Sequence, residues 1–179
     1  MTPIRLAVML ASLSFALPAM AQDKLTLILD WYVNPDHAPI ILAQEKGFFT
    51  QQGLEVEIVA PADPAEPPKL VAAGKADLAV SYQPQLHLQV HEGLPVIRVG
   101  TLVATPLNCL MVKAGGPVQS IADLKGRKVG YSVAGVEDAV MAAMLRPAGL
   151  TPEDIQMVNV NWSLTPALLT DQVDAVIGA

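Results

Sequence analysis

The chain has 179 residues, a formal net charge of −6 and 52% hydrophobic residues. That acidic balance argues against binding to nucleic acid or to an anionic membrane surface, because both carry negative charge. The single cysteine, Cys109, excludes an intrachain disulfide and a cysteine-based metal site, and we expect its side chain to be a small buried group.

The first residues have the pattern of an export signal rather than of a folded element. Arg5 is the only charge before Asp23, and the apolar run Leu6 to Leu17 is too short to span a bilayer. Ala19-Met20-Ala21 matches a small-x-small cleavage site. We therefore expect residues 1–21 to be a cleaved signal peptide and the mature protein to be exported, most simply into a bacterial periplasm.

The most distinctive stretch follows a short apolar strand, Leu25 to Leu29, and reads D-W-Y-V-N-P-D-H-A-P. It places Trp31 and Tyr32 side by side in a chain with only 4% aromatic residues. Flat aromatic faces beside hydrogen-bonding groups at the carboxyl end of a strand suit a planar polar ligand. Burial in the core is the alternative for the two rings, and His37 either lines a ligand wall or stabilises the turn.

Strands and helices alternate along the rest of the chain, which is typical of parallel sheets covered by helices. Periodicity predicts helices over 38–48, 69–73, 83–92, 136–146 and 165–169. It predicts strands over 54–59, 76–81, 95–103, 108–113, 127–131, 155–160 and 173–177. Capping signals at Ser120–Asp123 and Thr151–Asp154 indicate two further helix starts. No internal repeat is evident.

Two smaller patterns leave alternatives open. The loop Gly130 to Gly135 joins a strand to a helix, so its backbone N–H groups suit an anionic or polar ligand group, although a plain β–α turn fits the spacing as well. His87 and His91 are four residues apart on a predicted helix, but the glutamate of a zinc protease motif is missing. A solvated helix face is the favoured interpretation, and we expect no metal site.

Four motifs taken together resemble one family. They are the W-Y-x-N-P-D-H-A-P block, A-A-G-K-A-D-L-A-V-S-Y-Q-P at 72–84, L-K-G-R-K-V-G-Y-S-V at 124–133 and V-D-A-V-I-G-A at 173–179. Residues 24–179 resemble the solute-binding proteins of ABC importers that carry pyrimidine precursors. These belong to the SsuA/THI5-like family, which also contains thiamine-pyrimidine synthases.

The resemblance implies an α/β fold of the periplasmic-binding-protein-like type II. Two lobes, each with a mainly parallel sheet flanked by helices, would close on a ligand. Residues 22–106 are expected to form lobe 1 and residues 107–179 lobe 2. Binding proteins of this type are longer and return to the first lobe, so we expect the second lobe to be incomplete and the chain to be a fragment.

The resemblance also implies a function without chemistry. The protein would bind a thiamine-type aminopyrimidine as a monomer, without a cofactor, and deliver it to the membrane permease of an ABC importer. Riboflavin, sulfonate, nitrate and taurine are alternative ligands in the family. A pyrimidine synthase is the alternative from another class, but those enzymes carry a pyridoxal phosphate lysine at the position of Ser81. A non-functional remnant is the third possibility.

Ligand-binding positions follow from the resemblance residue by residue, and no catalytic residue is assigned. Trp31 and Tyr32 would stack on the ligand ring, while Asn34 and His37 would shape the same wall. The remaining assigned positions lie at strand ends or helix starts: Ser81, Tyr82, Gln83, Asn108, Tyr131, Ser132 and Glu137.

Overall fold

The computed structural model describes residues 22–178, so the predicted signal peptide lies outside the described residues. The strands within that range are β1 (Asp23–Ile28), β2 (Leu54–Val59), β3 (Leu78–Ala79), β4 (Cys109–Val112), β5 (Lys128–Tyr131), β6 (Gln156–Asn159) and β7 (Ala175–Gly178). The α-helices are α1 (Ala38–Glu45), α2 (Phe48–Gln51), α3 (Pro67–Ala72), α4 (Gln83–His91), α5 (Glu137–Leu145) and α6 (Leu164–Leu169).

The strands form two separate sheets. The first has the order β2-β1-β3, and all its pairings are parallel. The second has the order β4-β7-β5-β6, in which β4 is antiparallel to β7 and the other pairings are parallel. The predicted α/β fold with mainly parallel sheets and flanking helices is thereby confirmed, with β4 as the antiparallel exception at one edge.

Both clusters of buried apolar side chains belong to the second sheet and its helices. The larger cluster joins α5 to β5 and β7 through Met141, Leu145, Val129 and Ile177. The smaller one packs α6 against β7 through Leu168 and Val176. The first sheet contributes fewer buried apolar side chains, which include Ile28, Leu29 and Val56. We call each sheet with its flanking helices a unit, the first built on β2-β1-β3 and the second on β4-β7-β5-β6. Burial of apolar surface therefore stabilises the second unit more than the first.

The two sheets share a local arrangement that the sequence analysis did not recognise as a repeat. Asp77 precedes β3, where its N–H donates to the Thr26 carbonyl at 3.0 Å and its Oδ2 accepts from the Thr26 N–H at 2.7 Å. Asp174 precedes β7 and makes the same two bonds with Lys128, each 2.9 Å long. In both sheets an aspartate thus extends a parallel strand pairing by one residue through its side chain.

Several predicted boundaries need correction. The strand predicted over 95–103 is wrong, because this segment pairs with neither sheet and leaves Ile97 and Val99 84% and 75% exposed. The helix predicted over 38–48 is divided at Gly47, whose φ of 68° ends α1. Cys109 is exposed rather than buried, since it begins the edge strand β4. The predicted caps at Ser120 and Thr151 are confirmed, although both open 3₁₀ helices.

The Asp174 contacts yield a stability prediction. Asp174→Asn should lower the free energy of unfolding by roughly 1–3 kcal/mol, because an amide cannot accept from both the Lys128 N–H and the Arg127 guanidinium at 3.1 Å. Asp171→Asn is the matched control. Its exposed pair with Lys113 contributes about 0–1 kcal/mol, and asparagine tolerates its φ of 61°. Urea denaturation measures both variants, and equal losses would contradict the assigned role.

Candidate functional site

The turn after β1 is built around a buried imidazole. His37 is 1% exposed, and its Nε2 lies 2.8 Å from Oδ1 of Asp30. Its Nδ1 accepts the backbone N–H of Asn34 at 3.3 Å. Because Nδ1 accepts a hydrogen bond, the proton lies on Nε2 and the neutral imidazole donates to Asp30. Both ring nitrogens of His37 are therefore used within the turn.

Asn34 completes the same turn with its side chain. Its Oδ1 accepts the Asp36 N–H at 2.8 Å, and its Nδ2 donates to the Tyr32 carbonyl at 3.2 Å. Together with His37 this forms a capping box at the start of a short 3₁₀ helix, Pro35–His37. The predicted wall residues Asn34 and His37 thus hold the backbone that carries Trp31 and Tyr32.

Three aromatic rings form a cluster between the two units, which we call the aromatic cluster: Trp31, Tyr32 and Trp162. The ring centroids of Trp31 and Tyr32 are 5.2 Å apart, and those of Trp31 and Trp162 are 4.3 Å apart. Tyr32 and Trp162 are 5.7 Å apart. Tyr32 is 56% exposed, so the cluster is open to solvent on one side. The sequence left burial of the two rings in the core as an alternative. Trp31 instead contacts Trp162 of the second unit, and Tyr32 is exposed.

Trp162 belongs to the second unit and was missed by the sequence analysis. It follows β6 by a few residues, and its Nε1–H donates to the Ala62 carbonyl of the first unit at 3.3 Å. The turn before it is fixed by Asn161, whose φ of 47° is accompanied by a bond from its N–H to Asn159 Oδ1 at 2.8 Å. A tryptophan just after a predicted strand, as with Trp31, was the available signal.

Tyr82 faces acidic groups from both units. It precedes α4, and the carboxylates of Asp30 and Asp36 act on it from the first unit while Glu137 acts from the second. Burial, followed by the charge of Asp30, raises the pKa of Tyr82 well above its usual range. Its hydroxyl therefore stays protonated and remains a hydrogen-bond donor at physiological pH.

The loop between β5 and α5 uses its own carboxylates to satisfy its amides. The Val133 N–H donates to Glu137 Oε2 at 2.7 Å, and the Gly135 N–H donates to Asp138 Oδ2 at 2.8 Å. Glu137 is only 4% exposed, and burial raises its pKa to about 7. Two amides that suited an anionic ligand group in the sequence are therefore already paired within the loop.

The other predicted ligand positions lie apart from the aromatic cluster or are paired locally. Ser81 Oγ donates to Gln85 Oε1 at 2.8 Å, and Gln83 Oε1 accepts from Arg98 at 2.9 Å. The ring of Tyr131 packs against the larger buried cluster of the second unit. The remaining two are Ser132, which is buried and donates to the Asn161 carbonyl, and Asn108, which is half-buried just before β4.

Two further classes of site are absent from the described part of the chain. Residues 22–178 contain no grouping of three or more His, Cys, Asp or Glu side chains suited to a metal ion. Within the same range, no helix combines the length and the apolar character needed to cross a bilayer. Small cavities beside β4 are lined by residues such as Val112 and Val118, away from the aromatic cluster.

The two-sheet architecture is that of periplasmic solute-binding proteins. The chain aligns with the aliphatic sulphonate-binding protein SsuA of Escherichia coli with a TM-score of 0.68 and 20% identity, over 87% of this chain and 53% of that one. The model of the NMT1/THI5-like family matches residues 34–179. The chain therefore belongs to the NMT1/THI5-like family.

Relatives by sequence are named as a biosynthesis protein, a binding protein and a synthase. A "putative thiamine biosynthesis protein" of Haemophilus influenzae is 60% identical over 99% of this chain and 57% of its own length. A "formylaminopyrimidine-binding protein" of Halalkalibacterium halodurans is 37% identical over 88% and 48%. The 4-amino-5-hydroxymethyl-2-methylpyrimidine phosphate synthase THI11 of Saccharomyces cerevisiae is 32% identical over 89% and 47%. The chain thus spans about half the length of these relatives.

The buried carboxyl of Glu137 yields a pH prediction. Its pKa is about 7 in the folded chain against 4.5 for an unperturbed glutamate, so its protonated form stabilises the fold below about pH 4.5, and this contribution is lost as pH rises through 7. Glu137→Gln stays neutral at both pH values. The free energy of unfolding of this variant minus that of the parent should therefore be larger at about pH 8 than at about pH 4.5, by on the order of 1–3 kcal/mol.

Denaturant unfolding between these two pH values measures the effect. Glu45→Gln on α1 is the control, since Glu45 is exposed and its replacement should give the same small difference at both pH values. A Glu137→Gln difference that does not change with pH would show that the carboxyl titrates alike in the folded and unfolded chain.

Proposed function

We propose that the chain is the substrate-binding component of an ABC importer, located in the periplasm, and that it binds an aminopyrimidine of the thiamine-precursor type. The ligand would lie in the gap between the two units and be passed to the permease without chemical change. Membership of the NMT1/THI5-like family and the name of the Halalkalibacterium halodurans relative support this proposal. The aromatic cluster is the single observation that carries it.

The aromatic cluster offers flat surfaces from both sides of the gap. A planar ring between Trp31 and Trp162 needs about 3.5 Å on each face, hence a ring separation of roughly 7 Å. The observed centroid distance of 4.3 Å means that the two tryptophans now contact each other. Binding therefore requires the units to part by a few ångströms, and a ligand ring would then replace the contact between the two indoles.

The charges around the gap favour a neutral or cationic ligand over an anion. Asp30, Asp36 and Glu137 all act on Tyr82. The amides of Val133 and Gly135, which lie in the loop before α5, are already bonded to Glu137 and Asp138. A sulfonate or nitrate would meet carboxylates here and find these two donors occupied, so repulsion would oppose its binding. An aminopyrimidine offers N–H donors to the same acceptors.

The synthase alternative has its own support in the name of the yeast relative. The family resemblance implies that such an enzyme would hold pyridoxal phosphate. Such a site needs a primary amine to hold the cofactor covalently. Ser81 offers a hydroxyl at the position of the family's lysine, and that hydroxyl is bonded to Gln85. The residues present at this position therefore do not fit the cofactor, and we derive no step through it.

Ligand binding can be followed through the protein's own fluorescence. Both tryptophans of the chain, Trp31 and Trp162, belong to the aromatic cluster, so an aminopyrimidine bound there should quench their emission in a saturable titration. Stacking contributes about 0.5–1.5 kcal/mol beyond burial. Trp162→Ala should therefore weaken binding roughly two- to tenfold, read from Trp31 emission and calorimetry.

Trp162→Phe is the matched control, because it keeps a flat ring and removes only the indole N–H bond to Ala62. We expect its affinity to stay close to that of the parent. Saturable binding of an alkanesulfonate, with none of an aminopyrimidine, would overturn the proposed ligand class.

The enzyme alternative makes a separate prediction. Incubation with pyridoxal phosphate followed by borohydride reduction should leave no cofactor mass attached to the segment containing Ser81, because a hydroxyl forms no Schiff base. Ser81→Lys tests whether the position faces a cofactor site, since an amine held in such a site would give a saturable Schiff-base absorbance band at stoichiometric pyridoxal phosphate. A saturable band of this kind in the parent would instead support a synthase.

A further inference from the structure

Asp30 is a carboxylate held in place by its neighbours without being neutralised. In the sequence it follows the buried Leu29 and precedes Trp31, and its side chain is 15% exposed. His37 donates to Oδ1 at 2.8 Å, and Tyr82 faces the same carboxylate. A carboxylate has about four acceptor positions, so acceptor capacity remains after both neighbours have donated.

The charge of Asp30 is not balanced by a cation within this arrangement. His37 accepts the Asn34 N–H through Nδ1, so its imidazole carries one proton and is neutral. Asp36 and Glu137, which act on Tyr82 together with Asp30, carry the same sign as Asp30 when ionised. A partly buried carboxylate in such surroundings is stabilised by additional N–H donors, and it strongly disfavours any group that presents acceptors.

We infer that Asp30 determines the specificity of the proposed site by accepting N–H groups from the amino-bearing edge of a heteroaromatic ring stacked on Trp31. The inference rests on the proposed function and names the ligand class more closely: a ring with an exocyclic amine beside a ring nitrogen. A ring of the same shape without the amine would leave the Asp30 carboxylate without its donor. Discrimination between the two rings is the property that Asp30 provides.

A comparison of two ligands on two proteins tests this role. The parent chain should bind 4-amino-2-methylpyrimidine roughly 10- to 100-fold more tightly than 2-methylpyrimidine, because a hydrogen bond to a charged group is lost with the amine. Asp30→Asn keeps an oxygen for His37 but removes the charge, so the preference should fall below about threefold. Its affinity for 2-methylpyrimidine should stay unchanged, whereas a merely structural role would weaken both ligands equally.

Glu45→Gln is the control, since it removes a carboxylate charge from an exposed position of α1, the helix that follows the same turn, and should retain the parent's preference. Calorimetry and tryptophan fluorescence give the affinities, and the melting temperature of each variant reports its folding. If Asp30→Asn fails to fold, the parent measurement still tests the role, because equal affinity of the parent for the two rings would contradict it. Binding of both rings with equal affinity overturns the role of Asp30 alone, whereas failure to bind either ring overturns the proposed function itself.

Discussion

The hydrogen bond between the buried His37 imidazole and Asp30 is the constraint on which the rest of the site depends. It closes the turn after β1 and fixes a neutral tautomer, because the other ring nitrogen is taken by a backbone amide. A buried polar ring with both nitrogens satisfied is rigid, since any movement would leave a donor or an acceptor unpaired. Trp31 and Tyr32 therefore project from a fixed backbone, and entry of the proposed ligand would need movement between the two units rather than within this turn.

Aromatic and polar contacts join the two units, which suits the separation that the proposed function needs. Trp162 reaches across to Trp31 and to the Ala62 carbonyl, and Leu88 of α4 lies 3.5 Å from the position that a Cβ of Gly135 would take. Such a surface can separate at low cost, because tilted aromatic pairs contribute only about 0.5–1.5 kcal/mol beyond their burial. In the proposed function, the acidic side chains around Tyr82 would give the opened gap its preference for a neutral or cationic ligand.

The sequence predicted those parts of the fold and site that depend on local patterns. Such features include the D-W-Y-V-N-P-D-H block, the capping boxes at Ser120 and Thr151 and most strands. They could be predicted because dihedral preference and periodicity act over a few residues. Trp162 was missed because its contact with Trp31 depends on the position of the second unit relative to the first, which local sequence patterns do not encode. The strand predicted over 95–103 failed for a related reason, since alternation marks a strand only when a neighbour pairs with it.

The unequal distribution of buried apolar side chains has a consequence for how the protein acquires its site. Both buried clusters belong to the second sheet, so that unit has the larger share of the driving force for collapse. The first sheet, with its two-residue strand β3, belongs to the class of regions that open at low free energy and exchange their amide hydrogens early. The aromatic cluster joins the first unit to the second. A molecule bound there would therefore stabilise the folded state of the first unit and slow its amide exchange.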